Sequence, residues 1–334
     1  MGSKKTLTLL CLAPIEEGAL RDWLFQPTNM RIIFPEKFQQ SNVRSVATNA
    51  DLILGDWRGR LGIYEAEATA ASRCIFIQQP SVGVELVDLE ITRILGIPVA
   101  NAAGFNTRAV TEWILGAALC SIRSIAWVDS EVRKGNWPYQ ELIDRRGYEL
   151  LGKRVGIVGF GAIGSSVAQI FAAIGCDVYY WSRRQRSQKE ERGAKFIDLD
   201  LLLSSCDVVC VTVAKTTETI GLLNRRRINL LQDNSVLVDC SRGGIVDQGA
   251  LEERLRNKEI MGCALDVFET EPLRNDSGLR DLQSVVLSSH AAGKTAESQL
   301  SLRRQVADNL ILAMNGELPR NIVNGVTVFR KISQ

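Results

Sequence analysis

The chain has one histidine, His290, set in Ser288-Ser289-His290-Ala291-Ala292-Gly293. Upstream lie Ser241-Arg242-Gly243-Gly244 and Asp266-Val267-Phe268-Glu269-Thr270-Glu271-Pro272, and further upstream Gly159-Phe160-Gly161-Ala162-Ile163-Gly164. An imidazole changes charge near neutral pH, so it can give a proton to a carbonyl oxygen or take one from a hydroxyl. A guanidinium forks onto a carboxylate and steadies negative charge as it develops on oxygen. A carboxylate beside an imidazole favours the imidazolium. With a dinucleotide-type glycine loop, these are the parts needed to move a hydride and a proton to a carbonyl. In 334 residues with a single imidazole, His290 is the one candidate for that acid–base role.

A lone Gly-x-Gly-x-x-Gly pattern is a weak signal. Here the apolar run 155–159 precedes it and a helical run, 165–175, follows, the strand–turn–helix context the pattern requires. Its glycines permit a tight turn and close approach of backbone N–H groups to a pyrophosphate, at the positive end of a helix starting near Ala162. The next strand, 178–181, discriminates between cofactors. NAD sites usually carry an acid about 20 residues beyond the loop, bonded to the adenosine ribose. This chain reads Tyr179-Tyr180-Trp181-Ser182-Arg183-Arg184-Gln185-Arg186, with Asp177 too early and Ser182 in the acid's place. Two guanidinium groups there suit a 2′-phosphate. NADPH is the expected cofactor, with use of NAD left open.

These residues need rigid elements beneath them. Residues 7–12, 30–34, 52–54, 74–78 and 98–99 read as strands, with 35–40 and 63–71 among the helices or turns between them. Residues 107–127 give one long helical pattern, preceded by Gly104 and Asn106. Beyond the glycine loop, 207–213, 235–239, 262–266 and 285–287 read as strands, 225–231, 248–257 and 295–315 as helices. This alternation implies an α/β fold with doubly wound parallel sheets. Hinges between two domains are expected near 100–104 and 291–295.

Composition narrows the class. Apolar residues make up 46% and the net charge is +2, which gives no electrostatic case for nucleic acid or an anionic membrane. No apolar run reaches the length of a membrane span. Residues 7–13 after Lys4-Lys5 imitate a signal peptide but end at Pro14-Ile15-Glu16-Glu17, as a first buried strand would. Met1-Gly2-Ser3-Lys4-Lys5-Thr6 fits the loose N-myristoylation pattern, which chance explains better. None of the eight cysteines forms Cys-x-x-Cys, and they read as small buried hydrophobes of a reducing compartment. No metal site is expected with a single histidine. The expectation is a cytoplasmic protein.

From these motifs onward the chain resembles the D-isomer-specific 2-hydroxyacid dehydrogenase family, over nearly its whole length and most strongly over 152–293. The family's G-x-G-x-x-G, A/S-R-G-G, D-V-F-x-x-E-P and H-x-A-G segments all occur here in order. Weaker echoes are Ser81-Val82-Gly83-Val84, Gly96-Ile97-Pro98-Val99 and Asn106-Thr107-Arg108-Ala109-Val110-Thr111-Glu112. The resemblance implies a Rossmann-type cofactor domain, 103–293, inserted into a flavodoxin-like substrate domain, 1–102 and 294–334. It implies that Arg242 binds the substrate's carboxylate and carbonyl oxygen, that His290 moves the proton and that Glu271 holds the imidazole. Cofactor contacts are implied at Gly159, Phe160, Gly161, Ala162, Ile163, Gly164, Ser182, Arg183, Arg184, Val213, Ala214, Cys240, Ser241 and Asp266, the last near the nicotinamide. Backbone N–H groups around Val82 and Gly83 would hold the carboxylate, and Asn106 would sit where the domains meet. A homodimer is implied, built through residues 107–127 and on to Trp137. The chain departs from the family at Thr212, where histidine is frequent, at Ala214, and at Ser289, where proline is frequent.

The motifs fix the reacting group as a 2-oxo or 2-hydroxy carboxylate and leave its side chain open. Arg58 or Arg60, in Asp56-Trp57-Arg58-Gly59-Arg60, would favour a second acidic group. The leading expectation is a reductase of glyoxylate, hydroxypyruvate or a related 2-oxoacid. One alternative is an NAD-dependent D-2-hydroxyacid or phosphoglycerate-type dehydrogenase, against which Ser182-Arg183-Arg184 speaks; no long C-terminal regulatory domain is expected. Another is a dinucleotide-sensing corepressor or scaffold on the same fold, which no basic DNA-binding stretch supports.

Overall fold

The computed structural model describes residues 6–25 and 30–330. The myristoylation pattern lies outside them, apart from Thr6. The chain forms two compact units, Met1–Asn106 with Ala296–Gln334, and Thr107–Thr295. The divisions fall a few residues beyond 102 and 293. Ala102 is fully buried in the first unit's core and Phe105 packs against it, so this stretch belongs with the first sheet.

In the first unit, β1 (Leu7–Cys11), β2 (Met30–Ile33), β3 (Leu52–Leu54), β4 (Phe76–Gln78) and β5 (Val99–Ala100) form one parallel sheet ordered β2-β1-β3-β4-β5. That is the flavodoxin-like order. Alternate residues feed two cores. Leu9, Leu52, Leu54 and Phe76 pack with Leu302, Val306 and Leu310 of helix Ala296–Met314. Leu10, Ile53 and Ile77 pack on the other side with Val43 and Ala47 of helix Gln40–Ala47. Burial on both faces explains why an inner strand such as β3 reads as an unbroken apolar run. Each such side chain contributes roughly 1.5–3 kcal/mol by leaving water.

In the second unit, β6 (Arg154–Val158), β7 (Asp177–Trp181), β8 (Lys195–Phe196), β9 (Val208–Val211), β10 (Val236–Asp239), β11 (Gly262–Leu265) and β12 (Val285–Leu287) pair in parallel, ordered β12-β11-β10-β9-β6-β7-β8. The order reverses between β6 and β9, the switch point where ligands bind outside the carboxyl ends of strands. Val155 and Ile157 pack with Val167 and Phe171 of the helix after the glycine loop, while Val158, Val209 and Val211 face Leu202 and Leu251.

The single helix expected over 107–127 is two, Thr107–Ile122 and Ile125–Arg133, bent by 63°. Ser124 between them has φ +51°, and a left-handed residue cannot continue a right-handed helix. Apolar spacing runs through the break, so periodicity does not reveal it. Among the described residues, no single helix is long and apolar enough to cross a membrane.

Candidate active site

The candidate residues of the second unit fall on loops at the carboxyl ends of six strands that are neighbours in the sheet. Ser182, Arg183 and Arg184 follow β7, Gly159–Gly164 follows β6, and Val213 and Ala214 follow β9. Cys240, Ser241 and Arg242 follow β10, Asp266 and Glu271 follow β11, and His290 follows β12.

The glycine loop is built of backbone against backbone. Gly159 has φ +100°, and a Cβ there would lie 2.7 Å from the Val213 side chain. A Cβ on Gly164 would lie 2.0 Å from the Gly159 carbonyl oxygen. Helix Ala162–Ala173 starts directly from Gly161. First-turn N–H groups, here those of Ala162, Ile163 and Gly164, lack helical acceptors and carry the positive end of the helix dipole. This open cradle of donors fits a pyrophosphate. The Phe160 ring is buried and stacked on Tyr180, centroids 3.9 Å apart, which leaves its backbone as the part that can meet a ligand. The Thr212 hydroxyl donates to the Gly159 carbonyl at 2.8 Å, so the residue that replaces a frequent histidine ties β9 to the loop. β9 itself ends at Val211, two residues before the expected 213.

After β7 the chain closes into a compact turn. The Tyr180 hydroxyl accepts from the Arg186 N–H at 2.9 Å and the Ser182 hydroxyl donates to the Arg184 carbonyl at 2.6 Å. Arg183 and Arg184 are exposed on this turn, and Arg183 pairs with Glu218 at 2.5 Å. Asp177 opens β7 at its far end, away from a ribose site.

The β10 loop carries the arginine. Asp239 ends the strand, buried, and accepts from the Ser241 N–H at 2.9 Å and from the Ser241 hydroxyl. Arg242 Nη1 donates to the Ser241 carbonyl at 2.8 Å. Lys215 Nζ donates to the Gly243 carbonyl at 2.8 Å, bracing the loop from the β9 side. Burial pushes the Asp239 carboxyl up to about 6, against the bonds from Ser241 that lower it, and the nearby Asp266 adds to the rise. Burial also raises the half-buried Cys240 thiol well above its ordinary value, which keeps it protonated and unreactive.

The β11 and β12 loops carry Glu271 and His290. Asp266 is 2% exposed, and its carboxylate accepts from the Ala291 N–H at 2.7 Å and the Ala292 N–H at 2.9 Å. Its carbonyl accepts from the His290 N–H at 2.8 Å. These bonds hold His290 at φ +57°, a backbone conformation that costs a non-glycine residue on the order of 1 kcal/mol or more. His290 Nδ1 and Glu271 Oε2 are 2.8 Å apart, and Glu271 Oε1 accepts from the Phe268 N–H at 3.1 Å. A carboxylate can only accept, so the shared proton sits on Nδ1 and Nε2 is left for a substrate oxygen.

In the first unit, the loop after β4 is fixed by three polar contacts. Gln79 Nε2 donates to the Ser81 hydroxyl at 3.0 Å, that hydroxyl to the Gly83 carbonyl at 2.6 Å, and Asn101 Nδ2 to the Val82 carbonyl at 2.8 Å. Arg58 is exposed, on a loop gathered by Asp56, whose carboxylate accepts from the N–H groups of Arg58, Arg60 and Leu61 at 2.7–3.1 Å. Asn106 Oδ1 is buried without a hydrogen-bond partner. Sequence reasoning passed over Asp239, Lys215 and Glu218. The first had a visible signal, an acid ending a strand two residues before Ser241.

A profile of the D-isomer specific 2-hydroxyacid dehydrogenase NAD-binding domain matches residues 115–292. The glyoxylate reductase of Aeropyrum pernix is 38% identical over 263 residues, 76% of this chain and 77% of that one. The D-3-phosphoglycerate dehydrogenase of Archaeoglobus fulgidus is 35% identical over 256 residues, 76% of this chain and 48% of that longer protein. Among solved structures, the PH0520 protein of Pyrococcus horikoshii is 30% identical with a TM-score of 0.80, and the match covers 96% of each chain.

Proposed function

The chain belongs to the D-isomer-specific 2-hydroxyacid dehydrogenase family, and on that premise we propose that it reduces glyoxylate, hydroxypyruvate or a related small 2-oxoacid to the D-2-hydroxyacid, preferring NADPH. The enzyme class, an NAD(P)-dependent oxidoreductase acting on the CH–OH group of 2-hydroxyacids, comes with the family. On this reading Thr107–Thr295 is the cofactor domain and the remainder the substrate domain.

The observation that carries the reading is the 2.8 Å contact between His290 Nδ1 and Glu271 on neighbouring loops of the Rossmann-type sheet. A nicotinamide dinucleotide supplies the hydride when bound. The N–H groups of Ala162, Ile163 and Gly164 hold its phosphates. Arg242 grips the 2-oxoacid carboxylate and faces the carbonyl oxygen with positive charge. In the first unit, the loop after β4 carries Val82 and Gly83, whose backbone N–H groups are donors of the kind a carboxylate takes. As negative charge grows on the carbonyl oxygen, His290 gives it the Nε2 proton while Glu271 keeps the ring oriented. Asp266 fixes the His290 loop through Ala291 and Ala292.

NADPH preference is supported by Ser182 in the place of a ribose-binding acid and by Arg183 and Arg184 beside it. The glyoxylate reductase of A. pernix supports the substrate class. A phosphoglycerate-type oxidation is the second reading, favoured by the A. fulgidus relative. Thiols that are all free support a cytoplasmic setting.

A panel of small 2-oxoacids with NADPH and NADH, followed at the nicotinamide absorbance, tests the proposal. Turnover of glyoxylate or hydroxypyruvate, at least about tenfold better in kcat/KM with NADPH, is expected; that ratio needs only about 1.4 kcal/mol. Equal or better use of NADH would overturn the cofactor preference, and no turnover of any 2-oxoacid would overturn the reaction.

A further inference from the structure

We propose that Asp239 is the positioning residue for Arg242: through Ser241 it sets the turn from which the guanidinium reaches a 2-oxoacid carboxylate. The proposal rests on Arg242 being the carboxylate-binding residue.

The connection is continuous in the structure. The Asp239 carbonyl accepts from the Asp266 N–H at 2.9 Å, which anchors the end of β10 to β11. Oδ1 of Asp239 then takes both donors of Ser241, the N–H at 2.9 Å and the hydroxyl. An aspartate that bonds the backbone two residues on holds a turn as a backbone bond would. From that turn Arg242 Nη1 donates back to the Ser241 carbonyl at 2.8 Å. The guanidinium's position therefore depends on where Ser241 sits, and Ser241 sits where Asp239 puts it.

The electrostatics say that this carboxylate is held at a cost. Asp239 is 3% exposed. The charged and titratable groups near it are Cys263 on β11, Asp266 just after β11 and Cys240 on its own loop, and Glu269 lines the same small cavity next to Gly243. Burial pushes its carboxyl up to about 6, so near neutral pH the fold carries an anion it disfavours. A neutral side chain would end the strand more cheaply. What the carboxylate oxygen supplies in return is a strong acceptor for two donors at once, and both belong to the residue before Arg242.

Steady-state kinetics with glyoxylate and NADPH, together with fluorescence titration of NADPH, on Asp239→Ala, Asp239→Asn, Ser241→Ala and Arg242→Lys test this. Asp239→Ala is expected to raise KM for the 2-oxoacid about tenfold or more, as befits a lost charge-assisted bond, with a smaller fall in kcat and a loss of NADPH affinity well below the rise in KM. Asp239→Asn keeps an oxygen acceptor for Ser241 and should bring KM back to within about threefold of wild type. Ser241→Ala should raise KM less than Asp239→Ala. If Asp239→Ala does not fold, the Asn and Ser241 variants carry the test alone: an unchanged KM in Ser241→Ala then overturns the proposal. A folded Asp239→Ala with unchanged KM, a failure of Asn to rescue, or a loss of NADPH affinity as large as the rise in KM would each overturn it. If Arg242→Lys leaves KM unchanged, the reading of Arg242 fails. If Arg242→Lys raises KM and Asp239→Ala does not, only the role of Asp239 fails.

Discussion

His290 and Glu271 share one proton between Nδ1 and Oε2, and the rest of the chain holds no second imidazole to stand in. Replacing His290 with Ala should therefore lower turnover by about 10²–10⁴-fold, the usual worth of a general acid–base group. NADPH binding, measured by fluorescence titration, should survive because the glycine loop is untouched. Asp239 gives a prediction in pH. Its carboxyl rises from 3.8 to about 6 on folding, so the folded chain holds a proton there that the unfolded chain has released. Stability must then fall as pH rises between about 4 and 6 and level off above, by roughly 3 kcal/mol from this one group. Asp239→Asn cannot titrate. Urea unfolding at pH 4.5 and 7 should show the variant gaining on wild type as pH rises; parallel curves would mean that the carboxyl titrates no higher than in the unfolded chain.

The elements divide into those whose residues announce them and those that tertiary contact decides. The strands of both sheets are legible because residues such as Leu52–Leu54 and Val208–Val211 are buried on both faces. The glycine loop is legible because its backbone contacts exclude any Cβ at Gly164. By contrast, the break at Ser124 has no glycine or proline to mark it, and the two-residue strand β8 is too short to show a pattern. The pairing of Arg183 with Glu218 joins loops 35 residues apart, a distance no local spacing predicts. That ion pair sharpens the cofactor prediction for the turn after β7. The pair is exposed and worth about 0–1 kcal/mol, less than the 1.5–3 kcal/mol of a charged contact to phosphate, so a 2′-phosphate can draw Arg183 away from Glu218. Ser182→Asp combined with loss of Arg183 and Arg184 should reduce or reverse the NADPH preference in kcat/KM while leaving the maximal rate with the better cofactor nearly intact. An unchanged preference would make these arginines solvated surface charge.

For the whole molecule, the exposed apolar side chains after the helix break are where the proposed homodimer is tested. Ile125, Trp137, Tyr139 and Ile143 are each 53–81% exposed, and large apolar side chains left in water are common at contact surfaces. We expect sedimentation at twice the chain mass of 36.9 kDa, and a single-chain mass once Ile125 and Trp137 are both changed to Glu. A wild-type monomer at micromolar concentration would refute the dimer. The lone imidazole has a further consequence at this scale, a spectroscopic one. In a proton NMR spectrum each histidine ring gives its own Cε1–H line, so this protein should show one. That line belongs to His290, the group proposed to move the proton. Its movement with pH and with a 2-oxoacid would report on the proposed acid–base group with no second histidine line to confuse it, and acylation of imidazole should stop at one equivalent per chain and abolish turnover in step.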